Sequence, residues 1–279
     1  MTPAHAKRIA EETLDAIKAL KYTNPAGRTI SLDKLVTPAV RRSRLYKPGW
    51  LLTKDCDKNE SPEITVTMES TLQAGLRLQD LKPCVLNFAS AKHPGGGFLR
   101  GSLAQEESIA RSSALYHTLV EHPEMYEENK RSQAENIGLY LDYAIYSPDV
   151  PVIRNDRGDW LEQPYTMSVL TSPAPNRGAI VTSQTPDDDI AAIDLQIART
   201  FFNRIRQVLG IMADNGHRTI VLGAWGCGVF GNDPALVSAL FEAGLKQNPY
   251  FDKVVFAIYS DPGSSVYTTF DTVFGKRSV

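Results

Sequence analysis

The residues best equipped for chemistry lie between positions 93 and 107. Three consecutive glycines, Gly95-Gly96-Gly97, are followed after seven residues by Gln105-Glu106-Glu107. A glycine run lets backbone approach a ligand with no side chain in the way. Paired carboxylates beside it could donate and accept protons. The same pattern also describes a flexible loop before an acidic helix start, which the helix dipole favours. Spacing alone leaves these readings level. Adjacent helical residues point about 100° apart. Glu106 and Glu107 therefore cannot straddle a glycosidic bond as the two separated carboxylates of ordinary glycosidases do. A different division of labour would suit them. One carboxyl would protonate a leaving oxygen and then activate water, its neighbour would hold sugar hydroxyls, and phosphate oxygens of the substrate would stabilise an oxocarbenium-like intermediate. The acid should then have a raised pKa, from partial burial and the neighbouring carboxylate.

The glycines have a counterpart late in the chain, Gly226-Cys227-Gly228-Val229-Phe230-Gly231. Both loops follow short apolar runs, at 84–89 and 219–223, of the kind that form buried strands. In open α/β sheets, ligands bind beyond the carboxyl ends of the strands. Glycine-rich loops leading toward helix starts can present N–H groups to phosphate. Two of them at equivalent strand ends point to a ligand carrying a pyrophosphate. The P-loop pattern is absent, which argues against phosphoryl transfer. The late loop matches Gly-x-Gly-x-x-Gly, but the next acidic residue at a strand end is Asp261, later than a dinucleotide fold expects. A dehydrogenase is therefore not expected.

These loops need elements to hold them. Helical spacing predicts a helix over residues 4–21, broken by the Asn24-Pro25 cluster, and a mixed, polar stretch over 28–62. Strands are predicted at 64–68, 84–89, 167–171, 219–223 and 254–259, with an extended stretch at 140–153 interrupted by Ser147-Pro148-Asp149. Helices are predicted at 70–79, capped by Ser70 or Thr71, and at 105–120. A long helix is predicted from Asp187-Asp188-Asp189 to about Met212, and another from Asp233-Pro234 to about Lys246. The alternation predicts an α/β fold with a partly parallel, partly antiparallel sheet and helices on both faces. Residues 1–62 form a helical accessory segment in this reading, and 63–279 the catalytic domain.

Composition narrows the function classes. The chain of 279 residues carries 30 Lys and Arg against 32 Asp and Glu, a net charge of -2. No basic surface for nucleic acid is implied, and no run is long and apolar enough to span a bilayer. No signal peptide is evident. Cys56, Cys84 and Cys227 are odd in number and widely separated, which fits a reducing, cytoplasmic setting. Neither they nor the five histidines have metal-ligand spacing, so no metal is expected. His93 lacks an evident acid or nucleophile partner, and Trp225 is expected to pack behind its loop.

Taken together, Asn87-Phe88-Ala89-Ser90, Gly95-Gly96-Gly97, Gln105-Glu106-Glu107 and the 226–231 loop resemble the bacterial-type poly(ADP-ribose) glycohydrolases, whose signature is three glycines, six to eight residues, then Gln-Glu-Glu. The resemblance extends to 146–151, 174–176 and 223–226 and covers roughly residues 60 to 260. It implies a macrodomain, a three-layer α/β/α sandwich with an ADP-ribose cleft, and hydrolysis of ribose–ribose O-glycosidic bonds without a cofactor. It implies Glu107 as acid/base, Glu106 as the residue positioning ribose hydroxyls, and Gln105 as support for the ribose or the glutamates. Gly226, Cys227, Gly228, Val229 and Phe230 would form the diphosphate loop, with Phe230 near the distal ribose. Asn87 would sit at the ribose end, and Gly95, Gly96 and Gly97 would line the cleft. Ser90 stands where many related strands carry a second Asn. The expected partner is poly(ADP-ribose) on modified proteins, and the expected setting is reversal of ADP-ribosylation, as after DNA damage, by a cytoplasmic monomer. A non-catalytic ADP-ribose-binding macrodomain and a mono-ADP-ribosyl hydrolase are the alternatives.

Overall fold

The structure, a computed structural model, describes residues 1–275 except 60, 184–188 and 262. Helix α1 (Pro3–Lys18) starts where the Thr2 hydroxyl accepts from the His5 N–H and Pro3 takes the first position. A hairpin of β1 (Lys21–Thr23) and β2 (Thr29–Ser31) leads into α2 (Asp33–Arg42) and β3 (Arg44–Tyr46). The stretch predicted as mixed and polar therefore holds a helix and two short strands. They escape a pattern search because three-residue strands are too brief to alternate and α2 carries Pro38 inside it.

Next come β4 (Glu63–Thr67), α3 (Thr71–Arg77), β5 (Cys84–Phe88) and α4 (Gln105–Ser112). Ser70 and Gln73 close a reciprocal capping box on α3, which explains its sharp start. The helix predicted over 105–120 is two helices, because Ser113 turns extended. Its hydroxyl donates to the Ile109 carbonyl at 2.7 Å and accepts from the Leu115 N–H at 3.2 Å, so it ends α4 and starts α5 (Leu115–Leu119). A serine able to satisfy backbone groups on both sides competes with the helix. Then follow α6 (Pro123–Arg131), β6 (Ala144–Arg154), β7 (Trp160–Ser172), α7 (Arg177–Thr182), α8 (Ile190–Asp214), β8 (Thr219–Leu222), α9 (Pro234–Gln247), β9 (Lys253–Ala257) and α10 (Ser265–Phe274). Asp189 caps α8 through the Ala191 and Ala192 N–H groups, while Asp187 and Asp188 lie outside the described residues.

Seven strands form one sheet in the order β3-β6-β7-β5-β8-β9-β4. Pairing is parallel from β7 through β5, β8 and β9 to β4, and antiparallel for β3–β6 and β6–β7. β6 is irregular between Ser147 and Val150, where Asp149 has φ +48°. Period-two alternation divides the strands between two cores. Cys84, Leu86, Ile220, Leu222, Val254 and Phe256 pack toward α8, α9 and α10. Val85, Val169, Val221 and Val255 face α3 and the chain around α4 and α5. The expected mixed sheet between helical layers is what the chain forms. Residues 1–62 supply one of its edge strands, β3, and α1 packs on α4.

Arg204 of α8 ties the helical layer to the loops above the sheet. Fully buried, it donates to the Asp142 carboxylate and to the carbonyls of Leu139, Tyr140 and Pro173 at 2.8–3.1 Å. Arg204→Ala leaves three carbonyls and one carboxylate without their donor. Asp142 keeps water, so a loss of about 3 kcal/mol is expected, at the low end for a broken buried pair. Urea unfolding of the variant measures it.

Candidate active site

Strand β5 is the pivot. The alternation that sends Leu86 to one core sends Asn87 to the face beneath α4, while Phe88 ends the strand. Its neighbour β8 runs parallel to it, so the loop after β5 and the loop after β8 emerge side by side at the carboxyl ends. The sequence-predicted loops are thereby brought to one rim of the sheet.

The first loop lies over the start of α4. Its amides face inward, toward the glutamates: the Gly97 N–H donates to Glu107 Oε1 at 2.8 Å, and the Gly95 N–H supports Glu106. The Gly96 N–H closes a turn onto the His93 carbonyl. This loop is a cradle for carboxylates, because α4 begins directly beneath it. Gly96 has φ +62°, and a Cβ there would overlap Glu107 Oε1 and stand 2.9 Å from Glu106 Oε2. Only glycine lets the backbone lie this close to both acids.

Glu106 is 3% exposed and engaged at both oxygens. Asn87 Nδ2 donates to Oε1 at 3.3 Å and the Ser90 N–H to Oε2 at 2.6 Å. Asn87 also donates to Thr171 Oγ1 of the adjoining strand at 3.1 Å, so β5 and β7 together set the orientation of Glu106. Burial, reinforced by the charge of Glu107, pushes the Glu106 carboxyl up to about 8, against the pull of the Ser90 N–H. The raised group is thus the neighbour of the residue expected to act as the acid. Tyr126, buried and with no partner for its hydroxyl among the described residues, lies within the field of Glu106. Glu107 is 9% exposed, and its Oε2 makes no hydrogen bond among the described residues. One turn further along α4, the buried Arg111 guanidinium faces the charge of Glu107 and donates to the Ser102 carbonyl at 3.2 Å.

Gln105 opens α4 directly before the two glutamates. Its Oε1 accepts from the Phe88 N–H at 2.9 Å, and its Nε2 donates to the Leu86 carbonyl at 2.8 Å and to Thr71 Oγ1 at 3.0 Å. The amide is fully engaged in fastening α4 to the end of β5. Ser90 likewise turns its hydroxyl away from the acids, accepting from the Lys92 and His93 N–H groups.

The second loop has the character of an anion site. Among the described residues, the consecutive N–H groups of Gly228, Val229 and Phe230 have no acceptor. Gly226 at φ +75° turns the chain where a Cβ would come within 2.7 Å of Ala174. Asn232 locks the turn, its amide donating to the Pro175 and Gly226 carbonyls at 2.7 and 2.9 Å. Trp225 is fully buried behind the loop, donating to the Ser172 carbonyl and meeting Phe201 edge-on, as expected of a packing residue. Cys227 is half-buried, and burial pushes its thiol up to about 12, so it is no nucleophile. Val229 is 88% exposed at the tip, and Phe230 is half-buried with its ring 6.2 Å from that of Tyr140.

Sequence reasoning missed Arg111, Thr171, Tyr126, Tyr140 and Asn232. Arg111 had a signal, because it stands four residues after Glu107 on one helix. The others come from distant elements, and nothing in their local sequence marks them. Among the described residues, no group of three or more His, Cys, Asp or Glu side chains could hold a metal ion, and no helix is long and apolar enough to cross a membrane.

The chain is similar to known proteins over most of its length. The family described as microbial-type PARG, catalytic domain, matches residues 10–155. The crystal structure of poly(ADP-ribose) glycohydrolase (PARG) from Thermomonospora curvata is 42% identical, with a TM-score of 0.86 over 97% of this chain and 100% of that one. The same enzyme bound to the inhibitor ADP-HPD matches at 43% identity, a TM-score of 0.85 and the same coverage. The Deinococcus radiodurans enzyme in complex with ADP-ribose is 35% identical, with a TM-score of 0.74 over 85% of this chain and 96% of that one. No curated protein matches.

The raised Glu106 makes stability depend on pH. Its folded value of about 8 lies above the ordinary 4.5, so between these the folded state holds a proton the unfolded chain has released. Stability from this group is present at low pH and lost as pH rises toward 8. Relative to Glu106→Gln, the unchanged protein should lose stability between pH 5 and pH 8, as read by denaturant midpoints. A difference that stays constant with pH would contradict the burial of a titrating Glu106.

Proposed function

The chain belongs to the microbial-type poly(ADP-ribose) glycohydrolases, and we propose that Glu107 delivers the proton by which it hydrolyses the ribose–ribose O-glycosidic bond. The observation that carries this assignment is the unengaged Oε2 of Glu107 beside a fully engaged Glu106. Burial keeps a proton on the Glu106 carboxyl up to about 8. Glu107 is the member of the pair with an oxygen free to meet the glycosidic oxygen.

The step balances as follows. The glycosidic oxygen takes the carboxyl proton as its bond to the anomeric carbon breaks, and the polymer leaves as an alcohol. The cation developing on the sugar is stabilised by the carboxylate just formed and by phosphate oxygens of the substrate. Water then adds to the anomeric carbon and returns a proton to Glu107, releasing ADP-ribose. Glu106, held by Asn87 and Ser90, holds ribose hydroxyls, and the N–H groups of Gly228, Val229 and Phe230 receive the pyrophosphate. Phe230, against Tyr140, borders the distal ribose. ADP-ribose polymer on modified proteins is the substrate, and reversal of ADP-ribosylation, including that laid down after DNA damage, is the setting. Three free cysteines support a cytoplasmic location, and the protein works as a monomer.

Glu107→Gln should lower polymer turnover about 10³-fold, within the range of general acid catalysis, while ADP-ribose still binds by calorimetry. Unchanged turnover would remove Glu107 from the mechanism. A second expectation concerns pH. Glu106, which holds the ribose hydroxyls, loses its proton as pH rises through about 8, and the second negative charge beside Glu107 should lower kcat/KM on that alkaline side. A profile flat through pH 9 would show that the Glu106 proton plays no part.

A further inference from the structure

A cavity of about 190 Å³ borders the loop that holds the glutamates, with Gly96, Gly97, His93, Arg100 and Tyr116 among its walls. Phe98, fully buried, underlies it with its ring 5.0 Å from Tyr116. The cavity is smaller than the roughly 300 Å³ at which pockets begin to enclose a whole ligand. It fits part of one.

Arg100 lines the cavity and no carboxylate does. Burial, and then the charges of Lys130, Arg100 and Lys92, hold the His93 imidazole, another wall of the cavity, below its ordinary range. None of these three makes an ion pair among the described residues, although the whole chain is slightly acidic. Lys130 comes from α6 and the others from the loop after β5, so two separate elements bring them together. Cations left without acids beside a catalytic loop raise the local concentration of an anionic ligand. The larger cavity, of about 380 Å³ beside α1, differs: there Arg154 is already bound to Glu12 at 2.7 Å.

A polymer cut at Glu107 has two sides. The three unengaged N–H groups of the loop after β8 serve the ADP-ribose that is released. We propose that the cavity lined by Arg100 and His93 is the subsite for the chain that stays behind, and that it takes the pyrophosphate of the ADP-ribose unit adjoining the scissile bond. This rests on the glycohydrolase reading. Gly96 and Gly97 belong to both places, with Glu107 held on Gly97 and the cavity against the same peptides. The subsite gives the enzyme a means of preferring polymer over a single attached ADP-ribose.

The test compares two substrates in the unchanged enzyme and in Arg100→Gln/Lys130→Gln. One is ADP-ribose polymer, and the other an aryl glycoside of ADP-ribose that has no second unit. Removing two cations should raise KM for polymer at least tenfold, flatten its salt dependence, and leave kcat/KM for the aryl glycoside and calorimetric ADP-ribose affinity unchanged. Equal loss on both substrates, or no change on either, overturns the subsite. So does single-stranded DNA competing as well as polymer for the unchanged enzyme, since the cations would then be an unselective anion patch. If the unchanged enzyme cleaves neither substrate, the glycohydrolase reading itself fails. Turnover of both substrates with an unaltered double variant removes only the subsite.

Discussion

Two carboxylates buried side by side constrain everything around them. Withdrawing an ionised carboxylate from water costs several kcal/mol, and a second charge next to it costs more. Hydrogen bonds to charged groups return about 1.5–3 kcal/mol each. The chain supplies such bonds from the N–H groups of Ser90 and Gly97 and from the Asn87 amide. They are enough to hold the pair in place and too few to keep both acids ionised at neutral pH. A proton retained on Glu106 is the outcome. The absence of a side chain at Gly96 follows from the same constraint, because the amides can reach the acids only if the backbone lies against them.

The sheet turns this local arrangement into a site. Asn87 and Thr171 are register partners on parallel strands, so the geometry of Glu106 is inherited from the ladder rather than from a loop. Gln105 fastens the first turn of α4 to the last residues of β5 by two hydrogen bonds and to Thr71 of α3 by a third. Sites carried on strands and helices hold their reacting groups more exactly than sites carried on loops. The loop after β8 is made rigid by different means, through the Asn232 amide and Trp225 packed beneath it.

What was legible in the sequence follows the range of the signals. Strand-forming runs, the Ser70 cap, the Asp233-Pro234 start and the two glycine loops are local patterns, and each lies where expected. The break at Ser113 was invisible because it depends on Val152 of a distant strand as well as on the serine itself. Gln105 was expected, from the resemblance, to support the ribose or the glutamates. Its three partners, which tie the start of α4 to β5 and α3, come from distant elements that its local sequence does not mark. The glycines of the first loop were read correctly as allowing close approach, but what approaches is the protein's own carboxylates. Glycine spacing records that room is needed and not what fills it.

The two outermost strands of the sheet, β3 and β4, both come from the first quarter of the chain. Residues 47–62 must therefore cross the sheet's width, about 29 Å at 4.8 Å per strand, and on the way Trp50 and Leu52 lie against Gly210 of α8. As the polypeptide leaves the ribosome, β3 and β4 have no neighbours. β3 waits for β6, and β4 waits for β9, which is nearly the last element to be synthesised. Such long-range pairing slows folding. One edge of the sheet can thus close once β6 has been made, while the other stays open until almost the whole described chain has been synthesised.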